Sequence, residues 1–564
     1  MAILWALLCG VLAGAAFGRA TQRWRIAAGS GLLGAALAAL VALAGDDPWL
    51  GAALGVGAAG LIARWARAAA LDAARLAILA LGALAALRLA LVAGGGLPLA
   101  PDEAQYWDWS RSLDWAYYSK PGGIAWLIAG WTALFGDGLF ALRALGLLLA
   151  ALALAGAWAL ARTLALPPAP SAALAALLPI HALSAGLITT DVPLLVCWAW
   201  ALALAVRWLQ DPRPWQLPAF AALVALGISA KYAMLYAWPA LALALLAPPL
   251  RARRGWWAAL ALGSLLGVLP LVLWNAAQDW AGLRHLAGQA SGSPGWWQPF
   301  EFVGGQLAVG LPVSVLLPWA VAWAWRTRAE QPARWLLASA ALAPLAALAL
   351  LSLQAKVQPN WAALTWVPAA LLVAAWFRAQ PRVWARAVLV GGLALAFCAA
   401  AAISALPALR ARWPELPPSV PERKLAGWDE LAAEVERELA SAPAELLTGS
   451  YEIAAELAWH LRHRSRPYCA NFGRRWHQYD LWQRDQTLPP GSEAVFVLEL
   501  ARTDELDGDW RTRLPAGLLA DFAGHGHPRL LRVQRGERVW RQFLIVRLVG
   551  FDGALDSARG GQRW

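Results

Sequence analysis

Lysine is nearly absent from this chain, because only four of its 47 basic residues are lysine and the rest are arginine. Charge of any kind is scarce as well: 15% of the 564 residues are charged, whereas 60% are hydrophobic. The mean hydropathy of +0.50 is too high for a large soluble enzyme. Apolar stretches of about 20 residues recur, which is the length a helix needs to cross a bilayer. The composition therefore predicts a polytopic helical membrane protein.

Cysteine and the common catalytic motifs are also scarce. Cys9, Cys197 and Cys398 lie in apolar segments and only Cys469 lies in the polar tail, so we expect no intramolecular disulfide. No CxxC pair, Walker loop, GxSxG elbow or HExxH motif occurs. These absences argue against an ATP-driven pump, and no cofactor is predicted. A need for a divalent metal stays open.

The apolar segments predict about 14 transmembrane helices, at residues 2–18, 26–44, 50–67, 73–93, 138–160, 170–188, 192–207, 217–230, 233–248, 256–274, 302–325, 336–352, 361–377 and 385–405. Arginines gather in alternate connecting loops, which is the positive-inside pattern. The net charge of +12 is therefore interpreted as topology, and no nucleic-acid partner is predicted. The same pattern places loop 94–137, loop 276–300, the turns 189–191 and 353–360, and the tail after residue 406 outside the cytoplasm.

Three regions follow from this pattern. Residues 1–68 hold three N-terminal helices, residues 69–405 form a transmembrane core with its large outer loop at 94–137, and residues 406–564 form a small extracytoplasmic α/β domain. In that domain we predict helices at 430–439 and 451–463, strands at 445–448 and 494–500, and a hairpin over 530–549 turning at 535–536. Within the outer loop, 124–135 is too short to span and predicts an interfacial helix.

The stretch Pro101–Gly123 carries the densest chemistry of the chain. Its acids Asp102 and Glu103 have two readings. Proline followed by acids is typical of a helix amino terminus, where the helix dipole favours negative charge. A carboxylate at the bilayer surface is also suited to act as a general base that takes a proton from an attacking alcohol. The residues alone leave both readings open.

Lysine placement is more informative. Lys120, Lys231 and Lys356 all map to the outer face, in three separate loops, where the positive-inside rule predicts few cations. An ammonium group with three rotatable donors suits a phosphate. The alternative is that each lysine extends toward phospholipid headgroups. The three together favour a shared phosphate site, in which they would lie within about 15 Å of one another.

Other outer-face residues are ambiguous. Asp191 stands at a tight turn, where it either caps the next helix or takes part in a site. His285 is the lone histidine of its loop and is more often a solvated residue than a ligand. The tryptophans are mostly membrane-interface anchors, although an aromatic wall also suits the face of a sugar.

Ordered blocks of this sequence resemble the GT-C membrane glycosyltransferases, in particular the bacterial branch related to protein O-mannosyltransferases and to lipid A 4-amino-4-deoxy-arabinose transferases. The blocks are Pro101–Trp107, Tyr117–Gly122, Ala125–Ile128, Thr190–Leu195, Ala230–Tyr232, Trp274–Asn275, Lys356–Trp361 and Arg474–Trp482. The likeness covers roughly residues 73–550 and leaves out the first three helices.

This resemblance implies a GT-C fold and transfer of a sugar from a polyprenyl-phosphate donor at the outer face of the bacterial inner (plasma) membrane, with inversion at the anomeric carbon. The acceptor would be lipid A, another glycan, a lipid or a protein hydroxyl. Asp102 would act as the base, with Glu103 supporting it. Lys120, Lys231 and Lys356 would hold the donor phosphate. The substrate would also contact Tyr106, Tyr118, Asp191, Tyr232 and Asn360.

Two positions depart from the family pattern. Pro121-Gly122 stands where relatives often have Gly-Pro or Pro-Pro, and Thr190 stands where a proline commonly precedes the second aspartate. Either change alters loop geometry without removing a reactive group. The competing function is a polytopic transporter or flippase for a lipid-linked or anionic substrate, but transporters usually place polar groups near the bilayer midplane, and here the acids and lysines gather at one face.

Overall fold

The computed structural model of the protein describes residues 78, 81–82, 85, 98–251, 255–290, 295–393, 395–396, 424–484, 488–501, 509–535 and 538–552. These residues form two compact units. The first draws its described residues from Met1–Gly96, Leu142–Leu269 and Ala290–Arg412, and the second from Leu97–Ala141, Pro270–Gln289 and Trp413–Trp564. The predicted helices at 2–18, 26–44 and 50–67 lie outside the described residues.

In its described part the first unit is helical. Its α-helices are Leu139–Thr163, Pro168–Ala176, Pro179–Ser184, Asp191–Gln210, Gln216–Ala230, Ala237–Ala244, Pro248–Arg251, Gly255–Ala277, Gln298–Val309, Val313–Arg326, Pro332–Leu351, Trp366–Ala379 and Val383–Leu393, with the first and eighth continuing across the boundary of the unit. Two 3₁₀ segments, Tyr232–Tyr236 and Pro359–Thr365, interrupt the series. The prediction of a mostly helical chain is thereby confirmed.

Five helices among the described residues are long and apolar enough to cross a membrane, and a sixth is added if one bent pair counts as a single span. That pair, Gln298–Val309 and Val313–Arg326, was predicted as one straight span over 302–325. It bends by 93° at Gly310–Pro312, where proline removes a backbone donor and glycine weakens the helix. The predicted count of fourteen is thus only partly accounted for by the described residues.

The predicted span at 170–188 is wrong. The chain instead forms two short helices, Pro168–Ala176 and Pro179–Ser184, each with proline at its first position. Pro179 cannot donate to the carbonyl four residues earlier and its ring clashes there, so the first helix ends before it. Other predicted spans, such as 138–160 and 192–207, are confirmed with slightly longer bounds.

The second unit combines helices with a six-stranded sheet. Its helices are Pro101–Ser110, Gly123–Phe135, Ala281–Ala290, Trp428–Ser441, Tyr451–His460 and Gln478–Trp482, with 3₁₀ turns at Trp510–Arg513 and Leu518–Asp521. The strands are β1 (Glu445–Thr448), β2 (Tyr468–Cys469), β3 (Ala494–Leu500), β4 (Phe522–His525), β5 (Arg529–Arg535) and β6 (Arg538–Phe551). The helices and strands predicted for the tail are confirmed, and the turn of the hairpin lies outside the described residues.

Sheet order is β2-β1-β3-β6-β4, with β5 also paired to β6. Strand β1 runs parallel to β2 and β3, and β6 runs antiparallel to its neighbours. Alternate residues of β3 enter two different cores: Phe496 packs on one face, and Val495 and Val497 pack on the other, against Trp428 and Ile453 of the covering helices. This two-residue period is the side-chain alternation of a strand buried on both faces.

Candidate functional site

The two acids at the start of helix Pro101–Ser110 have different environments. Glu103 is 3% exposed, and its Oε2 accepts the backbone N–H of Ala100 at 2.9 Å. This bond satisfies a donor at the helix start, so the helix-terminus reading holds for Glu103. Asp102 is exposed instead. Its Oδ1 accepts a bond of 3.4 Å from the Tyr451 hydroxyl at the start of helix Tyr451–His460.

Asp108, six residues after Asp102, is the fully buried acid of this helix. Its fully buried carboxylate accepts two bonds from Arg466 Nε, at 3.0 and 3.1 Å, and one from the Tyr479 hydroxyl at 2.9 Å. The Arg466 guanidinium also bonds Ser112 Oγ at 3.0 Å and stacks over the Trp482 ring. Burial together with the Asp108 charge raises the pKa of Tyr479 well above its usual value. The hydroxyl therefore stays protonated as a donor, and the network holds helix Pro101–Ser110 to the tail within this unit.

Replacing Arg466 with methionine should lower the free energy of unfolding by about 2 kcal/mol, because it removes the closer of the two arginines that pair with the buried Asp108 carboxylate. Thermal unfolding of the purified protein measures this loss. Arg462→Met is the matched control, since Arg462 is 44% exposed and reaches Asp137 only at 3.9 Å. An equal loss in the two variants would contradict the role given to the buried network.

Lys120 stands at the end of a tight turn. The backbone N–H of Tyr117 donates to the Lys120 carbonyl at 2.9 Å, and the Lys120 N–H donates back at 3.3 Å. The Tyr117 ring stacks on Trp109 at 4.4 Å, which fixes the turn to helix Pro101–Ser110. Gly122 closes the turn, because a Cβ there would come within 2.5 Å of the Asp114 carbonyl oxygen. Glycine after Pro121 therefore allows the backbone at position 122 to lie close to the Asp114 carbonyl, which a larger residue would prevent.

Two of the three tyrosines predicted to contact substrate are buried. Tyr106 is 6% exposed and packs against Trp109, and Tyr118 is 2% exposed and packs against His285 with ring centroids 4.8 Å apart. The expectation that His285 is solvated is wrong, because it is only 5% exposed. Burial, followed by the charges of Arg475 and Lys120, lowers the pKa of His285 to about 4. This histidine is therefore neutral at pH 7.

The first unit gathers three other predicted residues around one carboxylate. Asp191 opens helix Asp191–Gln210 and is 7% exposed. Its Oδ1 accepts Lys231 Nζ at 2.5 Å and its Oδ2 accepts Asn360 Nδ2 at 3.1 Å. With both oxygens engaged, Asp191 is suited to orient the Lys231 ammonium rather than to take a proton.

Local sequence explains where Lys231 stands. It ends helix Gln216–Ala230 in an extended conformation and precedes the 3₁₀ segment opened by half-buried Tyr232. That helix lies close to helix Asp191–Gln210 at Gly227, where a Cβ would come within 3.2 Å of the Cys197 Cβ and 2.7 Å of the Met234 side chain. The glycine therefore permits the approach that brings Lys231 to Asp191.

Lys356 lies in the same unit but has a different environment. Its Nζ pairs with Glu301 at 2.9 Å, and the two side chains are 58% and 46% exposed. An exposed pair of this kind contributes about 0–1 kcal/mol, so a stronger anion competes for the lysine readily. The second unit holds Lys120, and the first holds Lys231 and Lys356. A phosphate site shared by all three stays a prediction.

A metal ion has no evident ligand set in the described part of the chain, where no three His, Cys, Asp or Glu side chains converge in a suitable cluster. Cys469 is buried beside His477 at 3.5 Å, and burial raises the pKa of its thiol to about 12, so it stays protonated. Neither observation adds a cofactor to the site.

Sequence reasoning missed several residues that the structure brings to the predicted ones. These are Asp108, Arg466, Tyr479 and Tyr451 in the second unit. One signal was available, since Tyr479 lies in the Arg474–Trp482 block already noted for its resemblance. Tyr451 and Arg466 lie in unremarkable helical and loop sequence, and nothing local marks them as neighbours of the outer loop.

Comparisons with known proteins agree with this architecture. The profile of the dolichyl-phosphate-mannose-protein mannosyltransferase family matches residues 119–274. A lipid A galacturonosyltransferase, RgtD of Rhizobium johnstonii, is 34% identical over 288 residues. That match covers 49% of this chain and 59% of the relative, so the chain spans less than two thirds of the relative's length.

Two solved structures share the fold. ArnT from Cupriavidus metallidurans bound to undecaprenyl phosphate superposes with a TM-score of 0.54 at 17% identity, over 83% of this chain and 97% of ArnT. Its apo state gives 0.52 at 16% identity, over 86% and 98%. At these identities the likeness establishes the fold. The resemblance drawn from the sequence is confirmed: this chain is a multi-pass membrane protein with the GT-C fold, similar in sequence to membrane glycosyltransferases.

Proposed function

We propose that the protein is a membrane glycosyltransferase that moves a sugar from a polyprenyl-phosphate donor to an acceptor of the cell envelope. The observation that carries this proposal is the difference in environment between the adjacent acids Asp102 and Glu103. Glu103 is buried and used as a cap, whereas Asp102 is left exposed with a tyrosine hydroxyl on one carboxylate oxygen. An exposed acid beside an anchored helix start is available for proton transfer.

Asp102 acts as the general base in this proposal. Its carboxylate takes the proton of an acceptor hydroxyl while the acceptor oxygen attacks the anomeric carbon of the donor sugar. A bond forms between that oxygen and the anomeric carbon, and the bond from the anomeric carbon to the phosphate oxygen breaks. The electron pair stays on the polyprenyl phosphate, and attack opposite the leaving group inverts the anomeric carbon. Glu103 keeps the helix start in place, so it supports Asp102 without touching the reacting atoms.

Lysines neutralise the charge that develops on the departing phosphate. Lys231 is the best defined of them, because it donates to Asp191, which Asn360 holds in turn, and an ammonium has two further donors. Lys120 and Lys356 are proposed to contact the same class of group. The bond to Asp191 holds the ammonium in place before the reaction, so that it needs no reorientation as charge develops on the phosphate.

Lipid A is the acceptor favoured by the sequence likeness to RgtD, and other envelope lipids, glycans or protein hydroxyls are alternatives that an experiment separates. Tyr106, Tyr118, Tyr232 and Asn360 line the substrate in this proposal. In this proposal the acids, lysines and tail face the extracytoplasmic side of the inner membrane, which is the orientation that the positive-inside rule predicts.

The test compares envelope lipids and glycans of a wild-type strain and a deletion strain by mass spectrometry. We expect one sugar mass to disappear from one acceptor in the deletion strain and to return when the wild-type chain is supplied. Purified protein with a polyprenyl-phosphate sugar should restore the same product in vitro. Identical spectra from the two strains, together with no product in vitro, would reject the proposal in favour of transport.

A further inference from the structure

The tail segment Arg474–Gln478 lies directly against the turn that carries Lys120. Gln478 Oε1 accepts the backbone N–H of Tyr118 at 2.7 Å, and Trp476 packs in one apolar cluster with Tyr118 and Ala281. All of these residues belong to the second unit. Arg475, which directly precedes Trp476, is therefore held next to the Lys120 turn.

Arg474 and Arg475 are adjacent in sequence but differ in environment. Arg474 is fully engaged: its guanidinium bonds Asp480 at 2.7 Å and the Gly449 carbonyl at 2.7 Å. Arg475 is exposed, and its side chain has no hydrogen bond or ion pair to any residue that the structure describes. The first arginine stabilises the segment, whereas the second presents a guanidinium whose donors the described residues do not use.

Two buried polar atoms also lack partners in the cluster that Trp476, the neighbour of Arg475 in sequence, packs against. Among the described residues, neither Tyr118 Oη nor His285 Nδ1 has a hydrogen-bond partner. Their rings are in contact, and the residues are 2% and 5% exposed. A buried polar atom without a partner is costly and uncommon in folded proteins. Such a pair is expected where a ligand supplies the missing bonds.

Cations contribute the largest charge effects on the pair. Burial is the largest influence on both groups. It raises the pKa of Tyr118 and lowers that of His285, and among the charges Arg475 has the largest effect on each of them. Lys120 adds to the effect on His285, whereas Asp480 opposes that of Arg475 on Tyr118. Tyr118 therefore keeps its hydroxyl proton, and neutral His285 keeps one N–H. Both are suited to accompany an anion bound by Arg475.

We propose that Arg475, Tyr118 and His285 form a binding subsite for a phosphoryl group, contributed in part by the tail. This deepens the function proposed above and rests on it. A phosphate presents several acceptor oxygens, which match the paired donors of a guanidinium, a phenol O–H and an imidazole N–H. The phosphoryl group comes either from the polyprenyl donor or from a phosphorylated lipid acceptor.

Binding to the full-length protein in nanodiscs tests the subsite with two pairs of probes. Undecaprenyl phosphate is compared with undecaprenol, and bis-phosphorylated lipid A with phosphatase-treated lipid A. Arg475→Gln should raise the Kd of the phosphorylated probe of one pair by about tenfold or more, because a charge-assisted hydrogen bond is lost. The Kd of the unphosphorylated probe of that pair should stay unchanged. The pair that responds identifies the source of the phosphoryl group.

Control variants separate binding from folding. Arg475→Lys should retain most of the affinity, and Arg532→Gln, at an exposed arginine of β5, should change nothing. Tyr118→Phe removes a hydroxyl that has no partner among the described residues, so the unfolding temperature should stay equal or rise while phosphate affinity falls by several-fold. Unchanged affinity of Arg475→Gln and Tyr118→Phe for both phosphorylated probes would overturn the subsite.

Failure of the subsite is distinguishable from failure of the proposed function. If the wild type transfers sugar and Asp102→Asn does not, the proposed function stands even when Arg475→Gln binds phosphate normally. If the wild type transfers no sugar, the function fails, and the binding comparison still decides whether Arg475 recognises a phosphoryl group.

Discussion

Asp102→Asn should lower the rate of sugar transfer by about 10³-fold, since a positioned general base contributes about 10²–10⁴-fold and the amide cannot accept the acceptor's proton. The substitution keeps the shape of the side chain and retains an oxygen that accepts from the Tyr451 hydroxyl. Folding should therefore be unchanged. Single-turnover transfer by the purified protein, measured with saturating donor, reads the chemical step directly.

The matched control is Asp137→Asn, the same substitution in the same outer loop. The Asp137 side chain is 52% exposed and its contact with Arg462 is long, at 3.9 Å, so transfer should stay at the wild-type rate. Retention of activity by Asp102→Asn, with equal folding of both variants, would refute the assignment of the base. Donor affinity should be nearly unaffected in either variant, because the carboxylate acts on the acceptor.

Lys231→Met should reduce kcat/KM by about 10²-fold or more and also destabilise the first unit. The Lys231 and Asp191 side chains are only 12% and 10% exposed, and their atoms lie 2.5 Å apart. Removing one partner of such a pair leaves a buried charge and typically costs about 3–5 kcal/mol. Thermal unfolding and steady-state kinetics on one preparation separate the structural loss from the catalytic one.

A double variant distinguishes the two contributions. Asp191→Asn with Lys231→Met removes both charges, so stability should recover toward the wild type while transfer stays low. The exposed pair Arg213–Asp211, at 2.9 Å with side chains 55% and 52% exposed, is the control cycle and should show a coupling of only about 0–1 kcal/mol. Recovered transfer in the buried double variant would show that Lys231 serves only the fold.

Local pattern was sufficient for the secondary structure of the tail but not for every membrane helix. The continuous apolar run of β3 and the amphipathic pattern of Trp428–Ser441 are both visible in consecutive residues, and both elements occur where predicted. Hydropathy averages over a window and does not detect a break inside it. For this reason Pro179 and the Gly310–Pro312 bend were read as parts of continuous spans.

For the candidate site, the sequence indicated which residues carry the chemistry but not which residues surround them. Residue chemistry singled out Asp102, Lys120 and Lys231, because acids and lysines are rare and positioned at one predicted face. Their environments were not readable from the sequence. Glu103 is buried and accepts the backbone N–H of Ala100 at the helix start. His285 is buried against Tyr118 and is neutral, rather than solvated. Such outcomes depend on which side chains pack above a group, and those come from distant segments.

By itself the sequence determined that this is a membrane protein of mostly helical structure with a mixed helix–strand tail, since hydropathy and periodicity are properties of neighbouring residues. It also determined which reactive groups are available. Only the tertiary structure decided the partners: Asp191 meets Lys231 and Asn360 across 40 and 169 positions, and Asp108 meets Arg466 across 358. Contacts over such separations arise from packing of whole elements, and no local pattern encodes them.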